Sequence, residues 1–402
     1  ISVEVGRLEV ADNRTESLNK LSSSQSGVLE AIRKSFSEKD IVLLHGITSS
    51  GKTEVYIHLI EEQLKSGKQV LYLLPEIALT TQIILRLMKH FGPVTGVYHS
   101  RFSDSEKVEI WKKVAENNIA GGYRLILGVR SSVFLPFSDL GLVIIDEEHD
   151  GSYKQHDPAP RYHARDSAIM LAGFHRAKTI MGSASPSIES YYNALSGKYG
   201  LAELKERYGA VKLPVIILAN TREAYRKKLM VSHFTPELLN AMDEALGKEE
   251  QVILFRNRRG FSPYIECPEC GWIPACKQCA VNLTYHKNIN RLVCHYCGYS
   301  TPVPSKCESC SYPTLATKGF GTEKREDEIK IIFPAARVAR MDQDSTRGKN
   351  SFNRIIKAFE ERRIDILIGT QMISKGLEFE NLTVVGALNA DNLLNYPDFR
   401  AH

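Results

Sequence analysis

Eight cysteines, the chain's full complement, fall as four Cys-x-x-Cys pairs in one window. Cys267/Cys270 and Cys276/Cys279 lie in CPECGWIPACKQC, and Cys294/Cys297 and Cys307/Cys310 in CHYCGYSTPVPSKCESC. Each such turn points two thiolates at one place, and tetrahedral zinc takes four, so four turns make two closed four-sulfur sites. A disulfide framework belongs on a small secreted domain. Neither condition fits a 402-residue chain whose first residues, ISVEVGRLEV, carry charges where a signal peptide has its apolar core. Closed sites leave no open coordination position, so the metal is read as structural. Spacing leaves the pairing open: nested, sequential and crossed arrangements are all geometrically possible. His286 and His295 lie nearby and are read as surface or supporting residues, since eight sulfurs complete both sites.

A second chemistry is written upstream. The apolar run IVLLH at 41 to 45 reads as a strand, GITSSGKT at 46 to 53 as a loop, and the spacing of Val55, Ile57, Leu59, Ile60 and Leu64 as a helix. Strand, glycine-rich loop and helix form the context a Walker A phosphate loop requires. Gly46 and Gly51 let the backbone wrap a phosphate, with Thr48 and Ser50 lining the same loop. Lys52 reaches the β- and γ-phosphates and Thr53 ligates Mg²⁺ at the helix N-terminus. The partner is LVIIDEEHD at 142 to 150, a strand ending in acids. Asp146 would hold Mg²⁺ and Glu147 would polarise the attacking water, the two tasks that phosphoryl transfer to water sets for carboxylates. A nucleoside triphosphate, Mg²⁺ and two Zn²⁺ are therefore the expected cofactors.

These groups need elements to hold them. At 43% hydrophobic and 25% charged, the composition is that of an ordinary globular chain, long enough for about two or three cores. Strand-like and helix-like patterns alternate, which predicts an α/β fold. Apolar strands followed by Gly, Thr or Lys turns recur in QVILFRNRRG, GFGTEKRE and DILIGTQMISKGLEFENLTVV, which predicts a second α/β lobe. The expected organisation is a polar lead-in at 1–21, lobe one at 22–208, and lobe two at 209–262 and 313–402. A zinc module at 263–312 interrupts lobe two; roughly 50 residues are too few for a large core of their own. No apolar run approaches the roughly 20 residues needed to span a bilayer, so no membrane partner is expected and the chain reads as cytoplasmic. Net charge is +5, which permits a polyanionic partner without demanding one. The chain opens on Ile, which suggests a piece of a longer protein.

In order, GITSSGKTEVY, LLPEIALT, VIIDEEHD, SYKQHDPAPRYHARD, GSASPS, FRNRRGF, the four Cys-x-x-Cys pairs, GFGTEK and ILIGTQMISKG resemble the PriA family of bacterial primosomal replication-restart helicases. These are the primosomal protein N′ group of DEAH-type superfamily 2 helicases. The resemblance runs from about residue 20 to the chain's end, and the cysteine module is its most specific part. It implies two RecA-like P-loop lobes with a double-zinc module inserted in the second, and a nucleotide held between the lobes. By resemblance, Gln25 contacts adenine, His149 is the coupling residue of the DEAH box, and Ser183 and Ser185 of GSASPS belong to the motif that links hydrolysis to DNA movement. Tyr153, Tyr162 and Arg165 belong to an aromatic-rich loop that senses single-stranded DNA, a role suited to rings that stack on bases. The alternative is that these tyrosines sit in a core or an interface. Thr370, Gln371, Lys375 and Gly376 resemble the second-lobe motif facing DNA and nucleotide. The family pairing of the zinc ligands is nested, Cys267, Cys270, Cys307 and Cys310 on one ion and Cys276, Cys279, Cys294 and Cys297 on the other.

The implied function is an ATP-dependent 3′→5′ DNA helicase of replication restart and primosome assembly at stalled forks. Its implied partners are forked and single-stranded DNA, primosomal proteins, the replicative helicase loader and single-strand DNA-binding protein. Two other readings differ in kind: an ATP-driven translocase on double-stranded DNA, and a zinc-dependent primosome assembly platform with ATP as a switch. Two departures from the family pattern bear on activity. Ser49 stands where the commonest phosphate loop has a further glycine, which Gly46 and Gly51 are expected to make tolerable. The chain also stops before the family's last motif supplies an arginine finger, so these residues alone are expected to bind ATP but hydrolyse it poorly.

Overall fold

In the computed structural model the chain divides into two compact units, Ile1–Ile216 and Ile217–His402. The structure describes residues 16–75, 81–99, 102–116, 121–157, 159–210, 214–256, 264–279, 281–286, 289–294, 297–318, 322–341, 351–369, 379–388 and 390. No helix among them is long and apolar enough to cross a membrane.

The first unit opens with α1 (Ser23–Glu38), β1 (Ile41–Gly46), α2 (Lys52–Lys65), β2 (Gln69–Leu73), α3 (Thr81–Phe91) and β3 (Thr95–Tyr98). It continues through α4 (Asp104–Ala115), β4 (Leu125–Gly128), β5 (Leu140–Asp146), α5 (Ala164–His175), β6 (Lys178–Ser183), α6 (Ile188–Leu195) and β7 (Gly200–Leu204). Its seven strands form one sheet in the order β3-β4-β2-β5-β6-β1-β7, every neighbouring pair parallel. Helices cover both faces, and the strands alternate between the two cores as the period of two requires. Val42, Leu44, Val70 and Tyr72 pack with α1, α2 and α3, whereas Leu43, Leu71 and Leu73 pack with α5 and α6. Because the strands run parallel, the residues that follow β1, β5 and β6 emerge along the same edge. That carboxyl edge is where open α/β sheets bind ligands. The main chain of Tyr208, beyond β7, still donates to Ser49 O at 2.9 Å, which ties the residues after lobe one's last strand to this unit.

The second unit comprises α7 (Thr221–Arg226), α8 (Pro236–Gly247), β8 (Gln251–Arg256), β9 (Tyr264–Glu266), β10 (Thr284–His286), β11 (Arg291–Val293), β12 (Ser300–Pro302) and β13 (Ala316–Lys318). It ends with α9 (Thr322–Ile332), β14 (Val338–Met341), α10 (Ser351–Glu360), β15 (Ile366–Gly369) and β16 (Leu382–Leu388). Strands β14-β15-β8-β16 make a second parallel sheet, over a core of Phe234, Met242, Val252, Leu254, Ile329, Ile366 and Ile368. The cysteine segment is a separate small body within this unit. It leaves and returns through an antiparallel pair, β9 with β13, that sets Tyr264 opposite Lys318. Inside it, β10-β11-β12 form an antiparallel sheet. Both the two parallel sheets and the inserted body agree with the α/β fold expected from sequence.

Candidate functional site

The phosphate loop is built by backbone geometry that few residues accept. Gly51 caps α2 with φ +81°, in the left-handed region, and a Cβ there would lie 2.2 Å from Gln25 Nε2. At Gly46 a Cβ would meet Lys52 Cγ at 2.9 Å and Ser50 Oγ at 3.0 Å. Lys52 folds back over the loop and donates from Nζ to Gly46 O at 2.8 Å. Ser50 Oγ is buried and has no hydrogen-bond partner among the described residues. A loop crossed by a lysine, opening onto a helix N-terminus and carrying an orphaned buried hydroxyl, fits a phosphate group. Thr48 is exposed and Thr53 half-buried on the first turn of α2.

Ser49 itself takes φ +61°. The glycine usual at this position is thus replaced by a serine that adopts the glycine conformation.

Gln25 is 2% exposed, and both ends of its amide are engaged. Its Oε1 accepts from Ser22 N at 2.9 Å, closing a capping box on α1, and Nε2 points at Ser50 O and Gly51 O from 3.5 and 3.4 Å. In this position it braces the phosphate loop. The S-x-x-Q spacing of Ser22 and Gln25 was the signal in the sequence.

Asp146 ends β5. Its carboxylate accepts from Tyr56 Oη at 3.3 Å, Tyr72 Oη at 3.3 Å and Glu147 N at 3.1 Å. Burial, and then the charge of Glu147, pushes its pKa up to about 6, against the opposing pull of Lys52 and the Tyr56 hydroxyl. The carboxylate and the lysine therefore share one electrostatic environment. A divalent cation would favour the ionised form further, so this donor set fits Mg²⁺. Glu147 follows at φ +47°, and His149 Nδ1 lies 3.5 Å from its Oε2. The same His149 nitrogen is 2.8 Å from Ser183 Oγ, and Ser185 N donates to Ser183 Oγ at 2.9 Å. His149, Ser183 and Ser185 are thus brought together beside Asp146.

The aromatic-rich segment is placed otherwise than expected. Tyr153 is 1% exposed, with its hydroxyl donating to Asp146 O at 2.6 Å and lying 3.1 Å from Leu73 O. A ring so enclosed offers no face on which a base could stack, so Tyr153 is a core residue. Arg165 is likewise turned inward, bonded through Nη1 to Glu148 Oε2 at 2.9 Å and through Nε to Asp166 at 2.9 Å. Its guanidinium is committed to carboxylates rather than offered to phosphate. Tyr162 stays half-buried, edge-on to the exposed Phe134 with ring centroids 4.9 Å apart. Thr370, Gln371, Lys375 and Gly376 lie outside the described residues.

Four residues that sequence reasoning passed over complete the site. Tyr56 and Tyr72 hold Asp146, Glu148 organises the loop that follows it, and Gly182 makes room, since a Cβ there would sit 1.5 Å from Tyr56 Oη. Tyr56 lies four residues after Lys52 on α2, a spacing that shares a helix face.

The eight cysteine sulfurs form two groups, Cys267, Cys270, Cys307 and Cys310, and Cys276, Cys279, Cys294 and Cys297. Within each, the sulfurs lie within 4.8 Å of one another. Closest approaches of 3.5 and 3.6 Å are too long for a disulfide. They are near the ~3.8 Å edge of a tetrahedron with Zn–S bonds of about 2.3 Å. All four turns are alike: the first cysteine's amide donates to the carbonyl five residues on, in Cys267/Trp272, Cys276/Val281, Cys294/Tyr299 and Cys307/Tyr312. In three of them the residue after the second cysteine, Gly271, Gly298 or Ser311, takes positive φ and returns its amide to the first cysteine's carbonyl. Amides of Gln278 and Ser309 also point at Cys276 and Cys307 Sγ from 3.4 Å. The chemistry of the donor set fits zinc.

Comparison with known proteins bears on both halves. A family model described as DEAD/DEAH box helicase matches residues 22–194. A second, described as the PriA DNA helicase Cys-rich region (CRR) domain, matches residues 276–302. The replication restart protein PriA of Bacillus subtilis (strain 168) is 43% identical over 390 residues, which cover 96% of this chain and 48% of that protein. The replication restart protein PriA of Haemophilus influenzae is 43% identical over 365 residues, covering 90% of this chain and 48% of its own. The chain thus spans about half the length of these relatives. Among solved structures, a DUF1998 helicase MrfA bound to DNA superposes with a TM-score of 0.53 at 12% identity. It covers 93% of this chain and 47% of that one. At that identity the likeness speaks for the fold alone. The general helicase match accounts for the nucleotide edge of the first sheet but not for an inserted four-turn cysteine body. The Cys-rich match and the identity that runs through both units account for that, and by them the chain belongs to the PriA family.

Proposed function

We propose that the chain is the ATP-hydrolysing motor of a DNA helicase that acts in replication restart. The observation that carries this reading is the convergence on one sheet edge of Lys52, Asp146 and the His149–Ser183 contact. Mg²⁺-bound ATP supplies the phosphoanhydride whose cleavage releases the energy for movement. Lys52, Thr48, Ser50, Gly51 and Thr53 would hold its phosphates and metal, Asp146 would hold the metal, and Glu147 would take a proton from water. His149 touches both Glu147 and Ser183, so a change at the acid is transmitted to the strand end that carries Ser185. The names of the relatives, replication restart proteins, support the biological setting.

The finer reading is 3′→5′ translocation coupled to hydrolysis, on forked and single-stranded DNA, in the bacterial cytoplasm. Primosomal proteins, a helicase loader and single-strand DNA-binding protein are its proposed partners. Tyr162, Thr370, Gln371 and Lys375 are proposed to face DNA, and one Zn²⁺ is proposed for each cysteine group. The test is ATPase rate with and without forked DNA, on the full-length protein and its Lys52→Ala and Glu147→Gln variants. Strong stimulation by DNA that both substitutions abolish is expected. Hydrolysis indifferent to DNA would overturn the motor reading, and stimulated hydrolysis without strand separation would make the protein a translocase.

A further inference from the structure

Asp146 is gripped by phenols. Tyr56, from α2, donates to Oδ1 at 3.3 Å, and Tyr72, from β2, donates to Oδ2 at 3.3 Å, so each carboxylate oxygen has its own hydroxyl. Both tyrosines are fully buried, and their rings brace each other edge to face, 5.7 Å apart at 74°. Tyr153 holds the main chain of the same residue, its hydroxyl 2.6 Å from Asp146 O. Gly182 pairs with Asp146 on the adjoining strand, and its missing side chain is what admits the Tyr56 hydroxyl.

Three buried phenylalanines would fill this core with no polar group to satisfy, so the hydroxyls call for a reason. A carboxylate held at both oxygens cannot turn about its own axis, and its remaining lone pairs keep one direction.

We propose that Tyr56 and Tyr72 are positioning residues that orient Asp146 to receive Mg²⁺. The proposal rests on the reading of Asp146 as a magnesium ligand. It assigns the tyrosines the part that hydrogen-bonding partners of metal ligands play elsewhere, where their removal costs about 10- to 100-fold in metal affinity.

The experiment is titration of Mg²⁺ into the protein with a fluorescent ATP analogue, for wild type, Tyr56→Phe, Tyr72→Phe and Asp146→Asn. The Phe variants remove one oxygen each and keep the ring packing. Each is expected to raise the half-saturating Mg²⁺ concentration about tenfold while leaving binding in EDTA unchanged. If Asp146→Asn shifts the Mg²⁺ requirement and both Phe variants match wild type, the positioning role is overturned. If the Phe variants weaken binding equally in EDTA, the tyrosines are merely structural and the proposal falls. If Asp146→Asn leaves the requirement unchanged, the reading of Asp146 is at fault and the proposal falls with it. Each tyrosine addresses a different carboxylate oxygen, so failure of one variant to fold leaves the other decisive.

Discussion

The Arg165 guanidinium lies 2.9 Å from the carboxylate of Glu148, whose side chain is wholly buried. The same carboxylate accepts from Ser187 N at 2.6 Å, Ser187 Oγ at 3.0 Å and Ser190 Oγ at 2.7 Å. It therefore ties the acidic end of β5 to the start of α5 and the N-terminus of α6. The two adjacent glutamates have separate tasks: Glu147 is a third exposed and faces His149, whereas Glu148 is internal.

Removing one partner of a buried ion pair leaves the other charged and unsatisfied, at a cost of about 3 to 5 kcal/mol. Glu148→Ala should lower the stability of the first unit by that amount. Glu147→Gln should abolish hydrolysis with an unfolding curve close to wild type. Urea unfolding of both variants checks the contrast, and a change below about 1 kcal/mol for Glu148→Ala would mean the pair contributes nothing.

Among the described residues three serines occupy glycine backbone, Ser232 at φ +55° and two that sit in the turns of the candidate sites. Ser49 in the phosphate loop and Ser311 after the last Cys-x-x-Cys pair both sit at φ +61°. A side chain in the left-handed region costs about 1 to 2 kcal/mol. Ser49→Gly should stabilise the first unit and Ser311→Gly the zinc body, each by about 1 kcal/mol, read as a rise in unfolding midpoint. Gly271→Ala should do the reverse, because Gly271 has φ +74° and its added Cβ would also press on Arg222 at 3.0 Å.

What could be read from sequence is what chemistry forces to be contiguous. A phosphate loop needs its glycines, lysine and threonine within eight residues, and a zinc turn needs its cysteines three apart. Tyr56 and Tyr72 are 90 and 74 residues from Asp146, and Arg165 is 17 from Glu148. The strand order β2-β5-β6-β1 brings the tyrosines to the aspartate, and no local pattern carries that order. Tyr153 misled for a related reason. A tyrosine among charged residues reads the same whether its ring faces water or the core, and tertiary packing decided for the core. Ser49 was legible as an oddity, but its cost lies in a backbone angle that residue identity does not state.

In the second unit, Asp365 accepts from Arg337 N at 2.7 Å and Nε at 2.9 Å, at the point where β14 and β15 begin. The hydrogen bonds from Arg337 hold its pKa below the ordinary carboxylate value. A carboxyl with a depressed folded pKa contributes stability above its unfolded pKa, about 3.9, and loses it as pH falls through the lower folded value. Asp365→Asn should therefore flatten the acid limb of the second unit's stability profile below about pH 4. The measurement is unfolding midpoint against pH for both proteins, and parallel acid limbs would refute the assignment.

The cysteine body has little else to hold it. Its core consists of Ile265, Leu283 and Leu292 with Cys276 and Cys294 themselves, around strands of three residues each. Four of the eight buried residues described in this body, Cys267, Cys276, Cys294 and Cys307, are metal-ligand candidates, so without ions the remaining apolar contacts fall well short of the entropy of ordering roughly 50 residues. Chelation at neutral pH should release two zinc ions per chain and open the segment between β9 and β13 to protease. The first unit, whose sheet shares no residue with the cysteine body, should keep its own unfolding transition. Substituting Cys276 should remove one ion and leave the Cys267 group loaded, because the two groups draw on different turns. Zinc release followed by a colorimetric chelator, with limited proteolysis in parallel, reads both effects. Loss of both ions from the single substitution would show that the two sites fold as one cooperative body rather than as two.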